Sequence, residues 1–65
     1  MLVCVNGETC ETQAVYVADL IRDHVADPAR VAVILNDAVL PAAMRATTRL
    51  ADGDCVELLA FAGGG

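Results

Sequence analysis

One stretch of this chain carries a helical period. Val17, Leu20, Ile21, His24 and Val25 fall at i, i+3, i+4, i+7 and i+8, with Asp19, Arg22 and Asp23 on the opposite face. A single helix presents a single apolar stripe, so it can shield one face of a sheet and no more. The rest of the 65 residues must bury their apolar groups in strands beneath that stripe or leave a sheet face open to solvent. Size tightens the constraint, because a chain of this length buries only about 60% of the surface that its unfolded form exposes. Apolar residues make up 57% of the chain and aromatics 3%. The expected core is therefore small and dense, made of Val, Leu, Ile and Ala, with little room for a deep substrate pocket. An enzyme acting alone is disfavoured.

The strand signals surround that helix. MLVCV is a short β-branched run that ends in Asn6-Gly7, the dipeptide that favours the left-handed backbone of a type I′ turn. A two-residue loop there pairs Val5 with Glu8 and Val3 with Cys10, and the second strand is expected to run from about Glu8 to Thr12. The helix is expected to end at Asp27-Pro28, since the residue before a proline avoids the helical region. Its start is less defined, because Tyr16 is a poor cap. VAVIL, residues 31 to 35, is a continuous apolar run, expected to be covered on both faces or to lie at the centre of the sheet. NDAVLP reads as a turn, a strand of two or three residues at Val39 and Leu40, and a stop at Pro41. AAMRA, residues 42 to 46, has the length of one helical turn. Asp52-Gly53-Asp54 is a second tight turn, and CVELLAF closes the chain as the last strand.

The order hairpin, helix, strand, short strand, strand fits an α+β fold, the ββαββ roll called the β-grasp. It implies a mixed sheet of four to five strands with one main helix. The sheet face away from the helix would carry alternate residues of the last strand, such as Leu59 and Phe61. Exposed apolar surface of that kind usually marks a docking site.

Charge and cysteine usage narrow the partners. Nine acidic residues against four arginines and no lysine give a net charge of −5, and Arg22, Arg30, Arg45 and Arg49 are scattered. Nucleic acid is a poor partner for such a surface. The apolar runs fall far short of the roughly 20 residues a bilayer span needs, so no membrane partner is expected. MLVCVNGE offers no basic region leading a long apolar stretch. A cytoplasmic protein with basic-faced partners is the expectation. Cys4, Cys10 and Cys55 are odd in number and lack CxxC spacing, so neither a disulfide framework nor a zinc site follows. Each is read as a small hydrophobe within a strand.

Within the fold no residue pattern points to catalysis or to a metal. His24 is the single histidine, and at the edge of an apolar stripe it reads as a packing residue. Asp52 and Asp54 flank Gly53 as turn chemistry requires. No phosphate loop, HExxH helix or calcium-loop spacing is present. The chain divides into a domain over residues 1–61 and a flexible glycine tail over residues 62–65. Three bare glycines are consistent with a frayed terminus or a cloning remnant. The functional reading is that the terminal carboxylate of Gly65 is itself the reactive group. Glycine lacks Cβ, so such an arm can thread a narrow channel in a partner, and four residues past Phe61 reach at most roughly 13 to 14 Å. A carboxylate is a poor electrophile and would need activation, for instance as an acyl-adenylate.

With these residues in view, the whole chain resembles the ThiS branch of the ThiS/MoaD-type sulfur carriers, ubiquitin-like β-grasp proteins. The matching features are the opening strand ending in Asn6-Gly7, the helix VADLI, and the VAVILND strand and turn. Val39-Leu40-Pro41 follow, then Asp52-Gly53-Asp54 leading to VELLAFAGGG. The proline and the ending Phe61-Ala62-Gly63-Gly64-Gly65 favour the thiamin branch over the molybdopterin branch. The chain departs from the family at Tyr16, where a small hydroxyl residue usually opens the helix. The resemblance implies a carrier with no bound cofactor and no catalysis of its own. A ThiF-like enzyme would adenylate the Gly65 carboxylate with ATP and magnesium. Sulfur from a cysteine desulfurase would convert it to a thiocarboxylate, for delivery to a ThiG-like thiazole synthase. Gly63 and Gly64 would line the partner's channel, and Leu59 and Phe61 would contact the partners. The alternatives are delivery to another acceptor, such as a molybdopterin precursor, a ubiquitin-like protein modifier, or an interaction module with an inert tail.

Overall fold

The computed structural model describes residues 1–61. Strands β1 (Leu2–Val5) and β2 (Glu8–Glu11) form a hairpin, helix α1 (Val17–His24) follows, and a 3₁₀ turn at Pro28–Arg30 leads into β3 (Val31–Leu35). Strand β4 (Ala38–Leu40), a second 3₁₀ turn at Ala42–Met44 and strand β5 (Cys55–Ala60) complete the order. The five strands make one mixed sheet in the order β2-β1-β5-β3-β4, with β1 and β5 parallel and the other neighbours antiparallel. This is the β-grasp roll expected from the sequence. No helix among the described residues is long and apolar enough to cross a membrane.

The helix covers one face of the sheet. Val17, Leu20 and Ile21 of α1 pack with Val3 and Val5 of β1, Val31 and Val33 of β3, and Val56 and Leu58 of β5, all buried. Leu50 and Ala14 close the sides of this core from the connecting segments. Alternation along each strand then sends Cys4, Ala32, Ile34, Cys55, Glu57 and Leu59 to the other face.

Several expectations shift by a few residues for identifiable reasons. The hairpin register matches, Val5 with Glu8 and Val3 with Cys10. Asn6 and Gly7 take φ of 51° and 83°, as a type I′ turn demands. Strand β2 runs to Glu11; Thr12 still exchanges main-chain hydrogen bonds with Met1 at 2.9 Å, and its hydroxyl accepts the Ala14 N–H at 3.0 Å as the chain turns toward the helix. The helix ends at His24 rather than at Asp27. Val25 is already extended, and Pro28 opens its own turn with the Asp27 carboxylate accepting the Ala29 N–H. Strand β3 is interior, yet the centre of the sheet is β5, and only one face of β3 is covered. The helical turn in residues 42–46 is 3₁₀ and shorter than expected. Tyr16 does occupy the N-cap without a side-chain cap. The orphan amides of the first turn are satisfied by the distant segment instead, Val17 N–H donating to Thr48 O at 3.0 Å and Ala18 N–H to Arg45 O at 2.9 Å. Arg45 in turn donates to Pro28 O and Val31 O at 2.9 and 2.6 Å, fastening this segment to the start of β3.

Two asparagines hold β5 in place. Asn6 and Asn36 both sit in left-handed turns, and Asn36-Asp37, with φ of 49° and 69°, repeats at β3–β4 what Asn6-Gly7 does at β1–β2. Asn36 Oδ1 accepts the Cys55 N–H at 2.9 Å. Asn6 Oδ1 accepts the Leu58 N–H at 2.7 Å. The chain leaves the sheet at Asn6, so its side chain continues the β1–β5 ladder where the main chain no longer can. Replacing Asn6 by Gly keeps the left-handed turn at little steric cost and leaves the part-buried Leu58 N–H unpaired. N6G is therefore expected to lower stability by about 1–3 kcal/mol, measured by urea unfolding, and N36G by less because the Cys55 bond is solvent-exposed.

Candidate functional site

Strand β5 carries the candidate site because it is central, faces solvent on one side and ends at the last described residues. Its backbone is paired on both flanks. Past Ala60 the Phe61 N–H donates to Arg30 O at 2.8 Å, so the main chain is tied down until the tail begins. Leu59 and Phe61 are 49% and 54% exposed, where the sequence placed them. Gly63, Gly64 and Gly65, with the rest of the tail over residues 62–65, lie outside the described residues.

The register adds residues that sequence reasoning did not name. Leu59 faces Ala32 across the β3–β5 pair, Ile34 faces Glu57, and Val39 of β4 faces Ile34. Leu59, Ala32, Ile34 and Val39 form an apolar stripe over half the open face, with Val39 75% exposed. On the other half Leu2 pairs with Glu11 and Cys4 with Thr9. The signal was present as alternation within each strand. It became a surface only once β5 was known to lie between β1 and β3. Glu57, opposite Ile34, puts negative charge beside the apolar stripe, which suits a partner with an apolar centre and a basic group at its rim.

The polar candidates resolve as structure. Asp52 accepts the Leu2 N–H at 2.8 Å, and Asp54 accepts from Ala51 N–H and from Asn36 Nδ2 at 2.8 and 3.0 Å. These carboxylates join the turn to β1 and to the β3–β4 hairpin, with Gly53 at φ 88°. His24 is exposed, so it is not the packing residue the sequence suggested. Its Nδ1 lies 3.0 Å from Leu20 O and its Nε2 3.9 Å from Cys10 Sγ, at the mouth of a cleft of about 280 Å³. That sulfur contact is longer than the about 2.6–3.2 Å over which a positioned base takes a proton. Among the described residues no three His, Cys, Asp or Glu side chains gather as a metal would require. The three cysteines are free thiols. The Cys55 thiol is held above its ordinary pKa, first by a side-chain hydrogen bond with Cys4 and then by the negative charge Cys4 would carry, with smaller contributions from desolvation, Asp37 and Asp54.

Residues 2–65 match the model of the ThiS family. The crystal structure of a thiamine biosynthesis protein (ThiS) from Geobacter metallireducens is 36% identical, covers all of both chains and superposes with a TM-score of 0.84. The NMR solution structure of a thiamine biosynthesis protein from the same organism is also 36% identical. It covers 100% of this chain and 88% of that one, with a TM-score of 0.78. A search of curated proteins finds no match.

The two faces of β5 predict opposite mutational outcomes. L59D, on the open face, is expected to change stability by no more than about 0.5 kcal/mol. L58D, one residue earlier and buried, places an unpaired charge in the core and is expected to unfold the domain; circular dichroism with urea titration separates the two. The raised Cys55 pKa leaves less thiolate at a given pH. Cys55 in the folded chain is therefore expected to alkylate more slowly near pH 8 than in the urea-unfolded chain, read by peptide mass spectrometry.

Proposed function

The chain belongs to the ThiS family, and on that premise we propose that it is a sulfur carrier of thiamin biosynthesis. Its working group is the carboxylate of Gly65. The observation that carries this reading is that the family match reaches residue 65, so the glycine ending is part of the likeness along with the domain. A chain of 65 residues has little room for a deep substrate pocket, and a reactive group beyond the central strand can enter a site that a partner supplies.

In the proposed cycle a ThiF-like enzyme binds ATP and magnesium and directs the Gly65 carboxylate oxygen onto the α-phosphorus. Pyrophosphate leaves, and an acyl-adenylate forms. A cysteine desulfurase supplies sulfur as a persulfide, a thiol reduces it to hydrosulfide and is itself oxidised to a disulfide, and the hydrosulfide adds to the activated carbonyl and expels AMP. The product is the thiocarboxylate, in which one sulfur has replaced one oxygen. A ThiG-like thiazole synthase then takes that sulfur for the thiazole ring, and the carrier carboxylate is regenerated. The chain supplies the carboxylate and a docking surface, while the catalytic groups belong to the partners in the cytoplasm. Leu59 and Phe61 supply apolar contact beside the exit of the tail. Gly63 and Gly64, lacking Cβ atoms, pass through the partner's channel where a larger residue would collide.

The test is intact mass of the full chain after incubation with ATP, magnesium, a ThiF-like enzyme and a sulfur source, with fragmentation to place the change. Exchange of one oxygen for one sulfur at Gly65 is the expected result. An unchanged terminus beside a partner enzyme shown to be active would overturn it. Deletion of Gly65 is expected to abolish the exchange and leave the folded spectrum intact, since a glycine has no apolar side chain to bury.

A further inference from the structure

The open face of the sheet carries two cysteines that carrier chemistry at a terminal carboxylate does not use. Cys4 of β1 and Cys55 of β5 are directly opposite in the parallel register. Their strand neighbours Val3, Val5 and Val56 are buried, so alternation turns both thiols away from the helix, where Cys4 is half-buried and Cys55 exposed. Adjacent strands lie about 4.8 Å apart, inside the about 4.4–6.8 Å of Cα separation that a disulfide spans. The backbone on either side is fixed, Cys4 N–H donating to Asp54 O at 2.8 Å and Cys55 N–H to Asn36 Oδ1 at 2.9 Å. Cys10 packs against the core side, next to His24, and is placed to compete for neither thiol.

We propose that Cys4 and Cys55 are an oxidative modification site that closes reversibly to a cross-strand disulfide by exchange with a small-molecule disulfide such as oxidised glutathione. One cysteine, as thiolate, attacks a sulfur of oxidised glutathione. A mixed disulfide forms and one glutathione leaves. The second cysteine loses its proton to solvent, attacks the protein sulfur of that mixed disulfide and expels the second glutathione. Two protein thiols are thereby oxidised to one disulfide, and one oxidised glutathione is reduced to two thiols.

The placement gives the bond a physical consequence. The β1–β5 ladder has two register pairs, Cys4 with Cys55 and Val5 with Val56, and the disulfide staples it where it is shortest. The closed loop takes in most of the chain, which restricts the unfolded state strongly. An exposed disulfide is also readily reduced, so the bond serves as a reversible mark and not a permanent brace. This inference stands on the β1–β5 geometry and is independent of the carrier reading.

The test uses the full chain, incubated with oxidised glutathione and analysed by intact mass and peptide mapping. The expected product has lost two hydrogens, links the Cys4 and Cys55 peptides, returns to the dithiol in excess reduced glutathione, and unfolds at a higher urea concentration than the dithiol. C4S and C55S are each expected to stop at a glutathione adduct on the remaining partner. Stable glutathione adducts on Cys4 or Cys55 of the unsubstituted chain would overturn the proposal, as would links through Cys10 or disulfide-bonded dimers in place of the internal bond. The unsubstituted chain decides the matter alone if either serine variant fails to fold.

Discussion

Insertion of the last strand between the first and the third is the constraint on which the rest of this small domain depends. Without β5 the sheet is two separate hairpins, β1–β2 and β3–β4, each too small to be stable alone in water. With it, Val56 and Leu58 complete the core against Leu20 and Ile21, and five strands become one surface. The insertion costs loop-closure entropy, since the β1–β5 pair joins opposite ends of the chain. The protein secures it with side chains as well as main chain. Asn36 brackets Cys55 at the start of the strand, Asn6 accepts from Leu58 further along, and Asp52 binds Leu2 from the turn before it.

Those same residues explain which parts of the fold could be read from the sequence. Local signals were sufficient for the hairpin, because Asn6-Gly7 fixes both the turn type and the register of its two strands. They were sufficient for the helix stripe, since Val17, Leu20 and Ile21 are buried as their spacing requires. Local signals failed where a distant segment decides the outcome. VAVIL is uniformly apolar, so it resembles a central strand, but centrality belongs to β5, whose alternating pattern looks like that of a half-exposed strand. Tyr16 is a weak cap on its own, and the amides it leaves are met by Thr48 and Arg45, a pairing that spacing cannot anticipate. Of the candidate site, Leu59 and Phe61 were legible from alternation alone. Ala32, Ile34 and Val39 needed the register, and His24 was misjudged because its exposure depends on where β2 lies.

The division between a closed core and an open face follows from having one helix. The helix covers the side of the sheet carrying Val3, Val33 and Val56, and the opposite side keeps Leu59, Val39 and Leu2 in water. In a domain already short of core, leaving those residues exposed forgoes burial that a second helix would have gained. That arrangement suits the proposed carrier role, in which partners rather than the chain itself cover the apolar surface. The acidic Glu57 beside the stripe, with a net charge of −5 over the chain, favours solubility of such a face and biases it toward basic partners.

For the proposed carrier, a reactive terminus that follows the central strand also has a mechanical logic. Any force or displacement transmitted through the tail falls first on β5, where pairing with β1 and β3 loads many hydrogen bonds together instead of peeling an edge strand one bond at a time. The Phe61 N–H to Arg30 O bond extends that anchorage to the last residue before the tail. In the proposed cycle, a partner that draws the terminus into its site would pull against a strand paired on both flanks. Had the arm followed β2 or β4, the four- and three-residue edge strands, the same pull would have frayed the sheet from its margin. The central position of β5 thus ties the stability of the fold to the proposed delivery of its terminus.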